Sequence, residues 1–121
     1  MAEKLPQPTI DEMSLSTIMT ALAEPLRMAA TVRMSYLPEG TERSCSSFGF
    51  PVAKASLTHH FRVMREAGLI SQIDYGNRRA SMLRISDLNA RFPGLLALLR
   101  AEADHEKLDI PERSAQQEAC V

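Results

Sequence analysis

Apolar residues recur at helical intervals from Thr9 onward, at Ile10, Met13, Ile18, Ala21 and Leu22, and Thr9 stands three residues before Glu12, the spacing of a capping box. This predicts a first helix over about 10–23. The residues before it, 1–8, hold two prolines and no period, and read as a flexible arm. Pro25 suits the first turn of a second helix, continued by Leu26, Ala29, Ala30, Arg33 and Leu37 and ended near Leu37 by the turn residues Pro38, Glu39 and Gly40. Residues 38–52 lose the pattern, and at most one short helical turn fits near Ser44 to Phe48.

From Val52 the pattern sharpens. Ala55, Leu57, Phe61, Met64 and Leu69 are apolar, while Lys54, Ser56, Thr58, His59, Arg62 and Arg65 are polar, as on an amphipathic helix with Gly68 at its C′ position. LISQIDY and ASMLRI then read as two strands about a turn containing Gly76 and Asn77. Ser86, Asp87 and Leu88 can start a further turn, and FPGLLALLRAEADHEKL supplies a last helix that is apolar around much of its circumference. Such a helix is buried on more than one side, which favours packing on a symmetry mate and against the first helix. The elements describe a mainly α domain with a small β-hairpin, of α+β class, over 9–108, followed by a polar tail over 109–121.

Composition bounds the function. A chain of 121 residues suits one domain, and halves of about 60 residues would leave a two-domain enzyme only marginal cores. A hydrophobic fraction of 45% argues against disorder. Two cysteines 75 positions apart make neither a disulfide scaffold nor a four-ligand zinc site, which suggests a reducing compartment. No apolar run reaches the roughly 18 residues of a membrane span, and MAEKLPQPT lacks the apolar core of a signal peptide, so the expected location is cytoplasmic, with no membrane partner. The net charge of −1 conceals its distribution. Residues 1–24 carry −3, 25–53 carry +1, 54–85 carry +4 and 86–121 carry −3. A basic centre between acidic ends suits a protein that offers one face to a polyanion.

The order of elements is that of a winged helix-turn-helix, and three segments sharpen it. ALAEPLRMAATVRM resembles an early stretch of the ArsR/SmtB-family repressors, ASLTHHFRVMREAGLI resembles their recognition-helix pattern, and DYGNRRASMLRI occupies the place of their wing. The resemblance covers about residues 20–100. It implies a winged helix-turn-helix dimerised through its N- and C-terminal helices. The function it implies is a sequence-specific DNA-binding transcriptional regulator: a repressor that binds an inverted-repeat operator in double-stranded DNA as a homodimer and is released by an effector. The competing function is a winged-helix protein-interaction module without DNA binding. An enzyme is disfavoured, because Cys45 with His59 or His60 is the only conceivable catalytic pair and lacks an orienting third group. No cofactor is implied.

The candidate DNA face is Lys54, Ser56, Thr58, His59 and Arg62 on the amphipathic helix, with Arg78 and Arg79 at the wing. His60 matches the histidine of the family pattern and reads more readily as packed at the junction of helix and wing. Arg65 and Glu66 read equally as an exposed charge pair, and Tyr75 as packed under the wing. The family's metal-binding patterns are missing. Asp104 and His105 are adjacent, and His105 with Asp109 has helical spacing but no second histidine, so no metal site is expected. Cys45 and Cys120 leave three alternatives: bystanders, a Cys45 thiolate activated by nearby Arg43, or a pair from opposite subunits that takes a soft metalloid. Met13, Met19, Met28, Met34 and Met64 read as core, with a pocket for an apolar effector between the first, second and last helices as the alternative.

Overall fold

Thr9 opens a helix as its spacing predicts, with the Glu12 carboxylate accepting from the Thr9 backbone N–H at 2.8 Å. That helix lasts one 3-10 turn, Ile10–Glu12, and does not run to residue 23. Met13 turns extended (φ −70°, ψ 142°) and buries its side chain beside Gly68, while its carbonyl accepts from Arg91. The chain restarts at α1, Leu15–Leu22, where the Ser14 hydroxyl accepts from the Thr17 N–H. Burial of Met13 thus overrides the uninterrupted period.

The computed structural model describes residues 2–106, and over these the fold is α+β, with five α-helices and a four-stranded antiparallel sheet. α2, Pro25–Ser35, starts where Pro25 predicts, and the Glu24 carboxylate accepts from the N–H groups of Leu26 and Arg27 at the positive end of the helix. The 3-10 turn Cys45–Phe48 matches the single turn expected between Ser44 and Phe48. α3, Lys54–Ala67, buries Phe61 and Met64 and leaves its opposite face in solvent. Gly68 closes it at φ +100°, a left-handed conformation that disfavours a side chain. A Cβ there would also sit 2.8 Å from Cγ and Cε of Met13. Gly68→Ala is therefore expected to destabilise the fold by about 1–2 kcal/mol, measured by urea unfolding.

The hairpin forms as expected from β3, Ile70–Asp74, and β4, Arg79–Leu83, in the register Ile73↔Ala80 and Asp74↔Arg79. Two short strands widen it into a sheet of order β1-β3-β4-β2. β2, Arg43–Ser44, pairs with β4, and β1, Glu3–Lys4, pairs with β3. The arm therefore forms an edge of the sheet. The carbonyl of Pro6 accepts from Arg65 Nε at 3.0 Å and that of Pro8 from Arg84 Nη1 at 2.8 Å, so two arginines from distant elements strap it down. Arg65 also donates to Gln72 Oε1 at 2.7 Å and is only 8% exposed, which replaces the expected surface pair with Glu66.

The turn expected at Ser86–Leu88 is a helix, α4, Ile85–Arg91, which buries Leu88. The last helix, α5, Leu95–Glu106, packs on α2 and α4 within the chain, and Arg100 donates to the Ser35 carbonyl at 3.0 Å. Within one copy the main contacts of α5 are with α2 and α4 rather than α1. Leu95, Leu96, Leu99 and Ala103 of α5 are buried, whereas Leu98 is 62% exposed. Met13, Met34 and Met64 fill the core, and Met19 is exposed. None of the described helices is long and apolar enough to cross a membrane. Cys120, Asp109 and the tail 109–121 lie outside the described residues.

Candidate nucleic-acid interface

α3 is amphipathic because its apolar side chains return every three or four residues, and docking that stripe on the core fixes which side chains face outward. Lys54, Thr58, His59 and Arg62 are exposed and Ser56 is half-buried. Lys54, Thr58 and Arg62 follow one another at i, i+4 spacing and so share one face. His59 stands beside them, its Nδ1 lying 3.3 Å from Arg62 Nη2.

The hairpin places its two arginines on the cleft that the start of this helix also lines. Asp74 Oδ1 accepts from the Gly76 N–H at 2.8 Å and fixes the turn. Arg78 lies over the Tyr75 ring at 4.3 Å, while Tyr75 donates its hydroxyl to both carboxylate oxygens of Glu42. That hydrogen bond pushes the Tyr75 phenol above its ordinary pKa and keeps it a donor. Arg79 faces Asp74 across the strands at 3.8 Å, an exposed pairing of at most about 1 kcal/mol that leaves the guanidinium available. Lys54 and Thr58 of α3 and Arg78 and Arg79 of the hairpin line one open cleft of about 840 Å³. Ser56, His59 and Arg62 do not line it and extend the polar surface along α3. Asn77, legible in the sequence only as a turn residue, joins the cleft beside Arg78.

The charge count changes once burial is known. Of the six cations between residues 54 and 85, Arg65 and Arg84 are buried and engaged with the arm, leaving Lys54, Arg62, Arg78 and Arg79 exposed. Arg33 and Arg43 of the preceding segment are buried around Phe48, where Arg33 Nη1 donates to the Phe48 carbonyl at 2.7 Å. The exposed basic set of residues 54–85 is smaller than the sequence sum, and it lies on α3 and the hairpin.

His60 packs against α2, where the junction of helix and hairpin was expected. Its Nδ1 lies 2.8 Å from Arg27 Nη1, and Arg27 Nε donates to the Ala21 carbonyl at 2.7 Å. This bond adds to the packing of α2 on α3.

Cys45 lines the cleft. The Arg43 side chain is turned inward to Ser47 and Phe48, and burial pushes the Cys45 thiol above its ordinary pKa against the smaller opposing effects of Ser81 and Arg79. In a Cys120→Ser background, Cys45 should alkylate at neutral pH more slowly in the folded protein than in urea, because less of it is thiolate. A faster folded-state rate with iodoacetamide would refute this. Among the described residues, no group of three or more His, Cys, Asp or Glu side chains is placed to hold a metal ion. No protein-family model matches the chain, and no curated protein matches it.

Proposed function

We propose that the protein is a sequence-specific DNA-binding transcriptional regulator of winged helix-turn-helix type, similar to the ArsR/SmtB repressors, in which α3 reads the major groove and the β3–β4 hairpin is the wing. The observation that carries this reading is the convergence of Lys54, Thr58, Arg78 and Arg79 on one open cleft, with His59 and Arg62 continuing the polar face of α3. A helix with short polar side chains can approach base edges, and cations beside it neutralise phosphates. α2 packs on α3, and the Arg27–His60 bond ties the two helices together. A protein-interaction surface would sooner expose aromatic side chains than this basic, hydroxylated one.

The proposed active form is a homodimer. Leu15 and Met19, one turn apart on α1, and Leu98 on α5 are apolar and exposed, and they give the terminal helices a surface that a second copy can cover. Two copies imply an inverted repeat with half-sites about one helical turn apart.

Selection of bound sequences from random DNA tests both statements. An enriched inverted repeat is expected, and Thr58→Ala, His59→Ala and Arg62→Ala should each weaken binding to it by about tenfold or more in mobility-shift titration. Failure to enrich any sequence would favour the protein-interaction module, and unaltered binding by all three variants would reject this face of α3.

A further inference from the structure

The cleft between α3 and the hairpin has two kinds of wall. Part of its lining is apolar, formed by Phe50, Val52, Leu57 and Phe61, and Val52 is 39% exposed. Its rim carries Lys54, Arg78 and Arg79 against the single carboxylate of Asp74. DNA accounts for the rim, since phosphates seek surface cations, but a duplex offers an apolar recess little beyond its thymine methyl groups. An open cleft of about 840 Å³ that combines an apolar part with a few convergent charged groups can take a small molecule.

We propose that this cleft binds a small organic anion with an aromatic or aliphatic body, its carboxylate held by the cationic rim and its body laid over Val52 and Leu57. The charge excess of the rim selects the anion, and burial of the exposed Val52 surface selects the apolar body. Lys54, Thr58, Arg78 and Arg79 also belong to the DNA face, so ligand and DNA compete for the same side chains. The competition rests on the DNA-binding function proposed above, whereas occupancy of the cleft does not.

The test uses the full chain and 2-naphthoate as the probe. Calorimetric titration without DNA should show saturable binding. 2-Naphthamide, the same ring without the charge, should bind at least about tenfold more weakly, and acetate, the charge without the ring, should give no measurable heat. Val52→Gln should weaken naphthoate binding about tenfold and leave DNA affinity unchanged, while Arg62→Ala, outside the cleft, should do the reverse. In a Cys120→Ser background, naphthoate at ten times its Kd should slow the reaction of Cys45 with a thiol reagent about tenfold and raise the apparent Kd for selected DNA by a similar factor.

No saturable binding by about 1 mM, equal affinity for the amide, or indifference to Val52→Gln would overturn the site. Occupancy of the cleft with no effect on DNA affinity would overturn the competition. A parent protein that binds no DNA would remove the proposed function, and the calorimetry would still decide the cleft.

Discussion

Replacing Arg43 by alanine is expected to destabilise the fold by about 2–4 kcal/mol. Arg43 is 2% exposed, the largest of the fully buried side chains. Its Nε donates to Ser47 Oγ at 3.0 Å, its Nη2 donates to the Ser47 carbonyl at 2.8 Å, and its guanidinium lies over the Phe48 ring at 4.2 Å. Alanine would remove two charge-assisted hydrogen bonds, leave the Ser47 carbonyl without this donor and open a cavity against Phe48. The desolvation cost of the buried charge disappears with the side chain, and this caps the loss. Arg43→Met, which keeps most of the volume, should lose roughly half as much. Chemical denaturation of the three proteins measures the series. A loss below about 1 kcal/mol for alanine would show that the guanidinium contributes little beyond offsetting its own burial.

The second large effect concerns binding. On the proposed function, changing Lys54, Arg62, Arg78 and Arg79 together to alanine should abolish detectable binding to selected DNA at physiological salt. Every phosphate that is no longer neutralised keeps its counterions, so the slope of log K against log salt should become shallower by about 3.6 per protomer. All four side chains are exposed, so thermal unfolding should change little, and this separates a binding defect from a folding defect. A parallel variant with the buried Arg65 and Arg84 changed should do the opposite. It would lose the bonds that hold the carbonyls of Pro6 and Pro8, and with them stability, while the salt slope stays unchanged. If the buried pair altered the slope and the exposed four did not, the cationic surface would have been assigned to the wrong side chains.

Much of the candidate face is legible in local pattern. The polar positions of α3 alternate with Leu57, Phe61 and Met64 at the helical period, so the docking of one face exposes the other. Gly68 marks the end of that helix and Gly76 the turn of the hairpin, because both need positive φ. α4 reads as a turn in sequence because seven residues containing only Ile85, Leu88 and Ala90 as apolar positions give too short a period to recognise. β1 and β2 have two residues each, and no alternation exists over such a length. That Arg43 turns its side chain inward to Ser47 and Phe48 is not legible in its sequence neighbours.

Local sequence suffices for α3, its glycine stop and the hairpin, since helical period, turn geometry and strand propensity are free energies of residues a few positions apart. Which arginines are structural and which face solvent is settled by long-range packing instead. Arg65 reaches Pro6 across 59 positions and Arg84 reaches Pro8 across 76, and a guanidinium is buried where carbonyl oxygens from such distant segments converge on it. The same packing turns a proline-containing arm into a strapped sheet edge and brings the cations of helix and hairpin to one cleft. Nothing in a local pattern encodes that meeting.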